Sequence, residues 1–335
     1  MFKDKNKTFI IAEIGNNHEG NFQLAKKMIS LAAEAGADAV KFQTFIPEYF
    51  VSSSNSDRLK RLKSFQLSQE EFIQLAKFAQ ECGVLFFSTP LDIDSAKFLN
   101  QLQPLFKIAS GDNTFYPLID TISNFGKPII ISTGISNTET IDRLYDRIIN
   151  NWKENNQVGE LALLHCVSSY PVPHEEANLS KISTLIKKYP GAIIGYSDHT
   201  IGNEASLFAV SIGAKIIEKH FTTDKNYSSF RDHQLSADPK EFKELVESIR
   251  KIEILRGNGD LTIQDCEKEI QVEVRRSIAA KRNLKKGDQV SINDFTWIRP
   301  GSGISPGNEN LIIDRILVKE VKQGQLFSLD DFEKL

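Results

Sequence analysis

The chain has 335 residues, 40% of them hydrophobic and 25% charged, with a formal net charge of -3. That balance supports a large buried core and gives no long-range attraction to nucleic acid or anionic membrane, so any anion site must be built locally. Three cysteines, Cys82, Cys166 and Cys266, show no CxxC or Cys/His spacing and read as reduced thiols of a cytoplasmic protein. No apolar run approaches the ~20 residues of a membrane span, and the opening stretch lacks the apolar length and cleavage site of a signal peptide.

One rhythm runs from residue 9 to about residue 256. "FIIAEIG" (9–15) is a strand candidate, followed by a helical face of Leu24, Met28, Leu31, Ala32 and Ala35. "AVKFQT" (39–44) and "VLFFSTP" (84–90) come next, the latter followed by Asp92 as a helix cap. "LFKIASG" (105–111) and "PIIISTG" (128–134) follow, with Asn137 as the cap of another helix. "LALLHCV" (161–167), "AIIGYSD" (192–198) and "KIIEKHF" (215–221) complete the set, and Phe242, Leu245, Val246 and Ile249 form a closing helical face. The strands are continuous rather than alternating, as parallel strands covered on both faces should be. Eight βα units predict a (β/α)8 TIM barrel. A doubly wound sheet is the alternative, but it rarely carries eight uninterrupted units.

The rhythm breaks near Gly257. The expected organisation is a catalytic barrel over 1–256, a linker over 257–276 and a small β-rich domain over 277–335. In that last stretch Lys-Gly-Asp and Lys-Gln-Gly-Gln turns each lead to an Asp-Phe pair, Asp294–Phe295 and Asp331–Phe332.

A (β/α)8 barrel places its chemistry at the C-terminal ends of the strands. Those ends carry Glu13, Asn16, Asn17, His18 and Glu19, then Lys41 and Gln43, then Ser88 and Thr89. Further on come Lys107, Ser110 and Asp112, Ser132 and Thr133, and His165, Ser168, Ser169 and Tyr170. The last two strands supply Ser197, Asp198 and His199, and Glu218, Lys219 and His220. So many polar groups at one rim would be costly unless they faced a polar ligand. His199 and His220 end adjacent strands, so their imidazoles can converge on a divalent ion such as Mn, Fe, Co or Zn. Lys41 and Lys107, with the hydroxyl turns, suit phosphate or carboxylate oxygens.

Read together, "AEIGNNHEGN", "VKFQT", "FFSTP", "FKIASGD", "ISTG", "LLHCVSSYPVP", "IGYSDHTIG" and "EKHFT" stand in the order and spacing of the sialic acid synthase family. "RRSIAAKRNLKKGD" and "WIRPGSGISP" resemble that family's antifreeze-protein-like (SAF) domain. The resemblance covers nearly the whole chain. It implies a metal-dependent condensation of phosphoenolpyruvate with the open-chain aldehyde of an N-acylated hexosamine, giving a nine-carbon sugar acid and phosphate. It places the metal on His199 and His220, with Mn2+ the first choice and Mg2+ or Co2+ as alternatives. Lys107, Ser110, Ser132 and Ser197 fall on phosphoenolpyruvate contacts, and Thr89 and Ser168 join them at the rim. Glu19, Lys41, Gln43, Tyr170 and Asp232 fall on positions facing the sugar or the reacting centre. Arg299 falls on an arginine presented to a partner subunit, which implies a domain-swapped homodimer. Among products, N-acetylneuraminate comes first, then N,N'-diacetyllegionaminate, then pseudaminate.

Two positions depart from many relatives. Asp112 replaces glutamate, which draws the carboxylate of a catalytic candidate back by a methylene, and Ser168 stands where some relatives have asparagine. "NYSSFRDHQLSADP" also lacks their Pro-Gly turn. Two other classes remain to be weighed. A metal-dependent hydrolase would want more histidines, such as an HxH pair on the first strand. An ice-binding module would want a flatter, less charged tail.

Overall fold

The computed structural model describes residues 7–333. Contacts divide the chain at Gly257/Asn258 into two compact units.

The first unit is a (β/α)8 barrel. Its strands are β1 (Phe9–Gly15), β2 (Ala39–Thr44), β3 (Leu85–Pro90), β4 (Phe106–Ile108), β5 (Ile129–Ser132), β6 (Leu161–Cys166), β7 (Ile193–Asp198) and β8 (Ile216–His220). They pair in parallel in the order β3-β2-β1-β8-β7-β6-β5-β4, and β3 lies beside β4 to bring the two ends of the sheet together. β4 is shorter than its sequence run because Ser110–Asp112 turns into a 3-10 helix. The expected caps form: Asp92 accepts from the Ser95 amide and Asn137 from the Thr140 amide.

Because successive side chains on a strand point to opposite faces, each strand contributes to two cores. Outward residues such as Ile10, Val40, Phe86, Ile131 and Ile217 pack under the helices. Inward residues Ile11, Ala39, Phe87, Leu105, Ile130, Ala162, Leu164 and Ile216 fill the barrel floor. The floor is apolar and plugged, so polar inward side chains occur only above it. The β2–β3 connection adds two helices, Pro47–Phe50 and Ser56–Phe65, before the packing helix Gln69–Glu81. Gly20 (φ 76°) admits the Ser64 carbonyl, which would lie 2.1 Å from a Cβ at that position.

The second unit holds β9 (Ser277–Ala280) and β10 (Phe295–Ile298), paired antiparallel. Ile278, Leu284, Val290, Ile312, Val321 and Phe327 are among its core residues. The repeated turns have a physical basis. Ser291 and Ser328 each begin a one-turn helix whose third residue, Asp294 or Asp331, accepts from the serine amide at 3.0 and 2.8 Å. Each aspartate also pairs with a cation, Arg282 at 2.8 Å and Lys319 at 2.7 Å, and the phenylalanine that follows is buried.

Candidate functional site

Strand alternation decides which polar groups meet. On β8, Glu218 and His220 line a cavity of about 690 Å3 above the barrel floor. Lys219, between them, turns outward to Asp198 at 2.9 Å and the Thr200 carbonyl at 2.6 Å. On β7, Ser197 and the following His199 face the cavity. Asp198 faces away, accepting from the Thr200 amide and from the hydroxyls of Thr200 and Ser206. The same parity delivers Glu13, Lys41, Gln43, Thr89, Lys107, Ser132 and Cys166 to the cavity.

These groups form a buried ionic cluster. Lys41 Nζ lies 2.7 Å from Glu13 Oε2 and 3.8 Å from Glu218 Oε2, and it donates to Thr89 Oγ1 at 3.2 Å. Lys107 Nζ lies 3.6 Å from Glu218 Oε1 and donates to Ser132 Oγ at 2.7 Å. Ser197 Oγ donates to Glu218 Oε1 at 2.9 Å, and Gln43 Nε2 reaches Glu13 Oε1 at 3.4 Å. The two carboxylates part company. Burial pushes Glu13 up to about 7, with Lys41 pulling it down and Glu218 pushing it up. Glu218 is penalised by burial too, but Lys107, Lys41 and the Ser197 hydroxyl hold it below the usual range. Burial lowers the Lys107 ammonium, whereas Glu13 and Glu218 outweigh burial at Lys41 and raise it.

Hydroxyl turns close one side of the cavity. Ser110 Oγ accepts from the Gly134 amide at 3.0 Å, and a Cβ at Gly134 would sit 2.4 Å from Ser168 Oγ and 2.7 Å from Ser110 Oγ. Glycine there lets both hydroxyls approach one point. Asn113 holds the same turn, donating to the Ser132 carbonyl at 3.0 Å and to Ser136 Oγ at 2.9 Å. Asp112 lines the cavity, and burial raises its carboxyl to about 6 against the pull of Lys107.

The imidazoles of His199 and His220 have centroids 5.3 Å apart, with the Tyr170 ring 4.2 Å from the first and 5.9 Å from the second. His199 Nδ1 donates to the Val167 carbonyl at 2.8 Å, which leaves Nε2 as the nitrogen for a ligand, and Cys166 Sγ lies 3.8 Å from that Nδ1. His220 Nδ1 is buried without a hydrogen-bond partner. Burial, then repulsion from His199 and the nearby lysines, keeps its imidazole neutral. Burial lowers the His199 imidazole, but Cys166 and the Val167 carbonyl outweigh it and raise it, so this pair fits an open site for a divalent ion with His199 giving up its proton to the ion. Among the described residues no group of three His, Cys, Asp or Glu side chains forms a complete cage, so substrate and water oxygens would supply the remaining ligands.

Glu19 and Asp232 line an adjoining outer lobe of about 820 Å3, which shares Gln43, Tyr170 and His220 with the inner cavity. Glu19, with φ 46°, accepts from the Ser228 hydroxyl and meets His233 Nε2 at 3.1 Å. Burial raises the Asp232 carboxyl, with Arg231 opposing the shift.

Several polar strand-end residues do not join the site. His18 is buried, accepts from the Gly20 amide at 3.0 Å and packs on Phe42, with ring centroids 5.9 Å apart. Asn17 ties Phe221 to Ser236, Ser88 bonds Thr44, and His165 bonds the Ala177 carbonyl. Arg299 lies in the second unit, where its Nε donates to the Val274 carbonyl at 2.8 Å. Three arginines facing the outer lobe, Arg58, Arg61 and Arg231, follow no strand-end signal. The first two lie on the helix Ser56–Phe65 within the long β2–β3 connection.

An eight-stranded barrel with paired lysines, hydroxyl turns and a histidine pair at the strand ends is an enzyme framework for small polar anions. The comparisons give the family. The NeuB family model matches residues 28–261, and the SAF domain model matches 275–333. An uncharacterized protein of Methanocaldococcus jannaschii is 44% identical, over 97% of this chain and 94% of its own. The N,N'-diacetyllegionaminic acid synthase of Campylobacter jejuni is 37% identical, over 96% and 98%. A crystal structure of the N-acetylneuraminic acid synthetase of Leptospira borgpetersenii aligns with TM-score 0.73 and 38% identity, over 79% of this chain and 90% of that one. The chain belongs to the NeuB family, the sialic acid synthases, and carries a SAF domain. It is an enzyme of the phosphoenolpyruvate-dependent type, a transferase that forms a carbon–carbon bond. No helix among the described residues is long and apolar enough to cross a membrane.

Proposed function

We propose that the barrel condenses phosphoenolpyruvate with the open-chain aldehyde of an N-acylated hexosamine, N-acetylmannosamine or a diacetamido-trideoxyhexose, to give a nine-carbon 3-deoxy-2-keto acid and phosphate. The observation that carries this reading is the buried Lys41–Glu13–Glu218–Lys107 cluster beside the His199/His220 pair. It supplies cations for a phosphate and a carboxylate, and carboxylates for a cationic carbon, in one cavity.

Held by His199 and His220, a divalent ion, with Mn2+ the first choice, would supply Lewis acidity for the aldehyde oxygen. The remaining work falls on the chain. Lys41, Lys107, Ser110, Ser132 and Ser197 seat the phosphoenolpyruvate anion, with Thr89 and Ser168 beside them, so that C3 faces the aldehyde carbon. As the C3–C1 bond forms, the aldehyde C=O π bond opens and its oxygen takes up a proton from solvent, while positive charge develops at C2, where ionised Glu218 stabilises it. Water adds to C2 and loses its proton to Asp112, whose raised value suits a base working near neutrality. The tetrahedral centre then releases its hydroxyl proton and expels phosphate with cleavage of the C2–O bond. In this reading Tyr170, Gln43, Glu19 and Asp232 position the sugar, and Arg299 completes the site of the other subunit in a homodimer.

The deciding experiment offers metal-stripped, Mn-reconstituted enzyme phosphoenolpyruvate with each sugar separately. It follows phosphate together with the mass of the keto acid. Equimolar appearance of both, lost in His199→Ala while the fold is kept, supports the reading. Folded, metal-loaded enzyme that turns over no sugar refutes it.

A further inference from the structure

The inner cavity has a second neighbour besides the outer lobe. A pocket of about 590 Å3 lies between the turn that follows β5 and the segment that follows β6. It shares Ile135, Cys166, Ser168 and Ser169 with the inner cavity. Residues that line both spaces form a partition one side chain thick. Gly134 keeps that partition thin, because a Cβ there would meet Ser168 Oγ at 2.4 Å.

The partition carries a strained, uncovered side chain. Ile135 is 83% exposed and has φ 53°, a left-handed backbone that is hardest for a β-branched residue. Its neighbours impose that conformation: the Gly134 amide donates to Ser110 Oγ at 3.0 Å, and Ser136 Oγ accepts from Asn113 at 2.9 Å. The turn is fixed at both ends, while the apolar side chain between them makes no polar bond. An exposed side chain of this kind changes rotamer far faster than an enzyme turns over.

Charge beyond the partition has one sign. Lys181, on the helix Ser180–Lys188, lines the side pocket and has no carboxylate partner among the described residues. Its charge reaches inward as well: burial lowers the His165 imidazole at the end of β6, and Lys181 lowers it further. The rest of the lining includes Ser136, Asn137 and Thr140 and holds no acid. Ser110 and Ser168, which help to seat the phosphoenolpyruvate anion, meet at this same wall. An anion released there has a positive potential to one side of it, and in the proposed reaction the sugar fills the outer lobe above it.

We propose that the side pocket is a second mouth of the inner cavity and a transit site for inorganic phosphate. Past Ser168 and the swinging Ile135 side chain, the dianion reaches Lys181 while the sugar acid still fills the outer lobe. This rests on the reading of the barrel as a phosphoenolpyruvate–hexosamine synthase, because that reaction leaves phosphate beneath a larger product.

The test follows a single turnover of Mn-loaded enzyme with the sugar it accepts, N-acetylmannosamine or a diacetamido-trideoxyhexose. Quenched samples give the keto acid by mass, and a fluorescent phosphate-binding protein in solution reports phosphate as it leaves. In the wild type the two signals should rise together. Thr140→Trp fills the side pocket, so free phosphate should lag behind keto acid that still forms at the wild-type rate. Lys181→Glu, at an exposed position that leaves the fold intact, should slow phosphate release about tenfold, the low end of electrostatic steering. Added salt should shrink that effect. Damage to the inner cavity would instead slow the keto acid itself. Phosphate released at the wild-type rate by both variants would overturn the second mouth and leave the proposed reaction standing. If no sugar yields keto acid, the proposed reaction fails and the transit site falls with it.

Discussion

Two buried ionic clusters meet at β8 and face opposite ways, Lys219 outward to Asp198 of β7 and Glu218 inward to lysines of β2 and β4. The outward pair, Lys219 and Asp198, is closed on itself: the lysine meets a carboxylate and a carbonyl, and the carboxylate takes an amide and two hydroxyls as well. The inward cluster of Glu13, Lys41, Glu218 and Lys107 is wider spaced, opens on a cavity, and drives its two carboxylates in opposite directions. A closed network locks strands to helices, whereas an open one leaves donors and acceptors for a ligand.

That contrast can be broken experimentally, and the outward side should give the largest effect. Asp198→Ala strands the buried Lys219 ammonium and should cost about 3–5 kcal/mol of stability. Denaturant unfolding measures it, and a loss below ~1 kcal/mol would remove the distinction. The Asp198 side chain bonds Tyr196, Thr200, Ser206 and Lys219, none of which lines the cavity, so surviving folded enzyme should keep its KM for phosphoenolpyruvate.

His18 sharpens the outward side through pH. Burial lowers its imidazole from the ordinary 6.5 to about 4. Because the folded value is depressed, its stabilising contribution is complete above pH 6.5 and is lost as pH falls towards 4. The amount at stake is up to about 3 kcal/mol. His18→Asn keeps an acceptor for the Gly20 amide and should flatten the stability profile in that window. An unchanged slope would mean that the neutral imidazole contributes nothing.

The inward side should answer in rate instead. Asp112→Asn should lower kcat about 10²-fold, the usual worth of a general base. Wild-type activity should rise as pH climbs through about 6, where Asp112 ionises, and the variant should lack that limb. Unfolding midpoints of the two proteins should differ little, because Asp112 lies on a cavity-lining 3-10 turn.

The eight strands are legible in the sequence because runs such as "PIIIS" and "LALLHC" suit parallel strands buried on both faces. The same continuity hides which face each residue takes. Glu218, Lys219 and His220 look alike in a roll of strand ends, and only the parity set by the barrel floor sends the lysine outward. The outer lobe is less legible still. Ser68 and Glu71 announce the helix Gln69–Glu81 by a capping box. The helix before it is polar enough to pass for a connecting loop, so Arg58 and Arg61 carry no sign that they share a cavity with Arg231.

The two-residue repeat that sorts these groups also limits how such a barrel can change length. One residue deleted within β8, with the floor kept in place, would swing Lys219 into the cavity and turn Glu218 and His220 among the apolar residues under the helices. Anchor and chemistry would trade places in a single event. Losing two residues would preserve the sorting and only shift its height. Insertions and deletions in these strands are therefore tolerable in pairs, while the connection between β2 and β3, which obeys no such parity, is free to vary in length and to recast what the enzyme accepts.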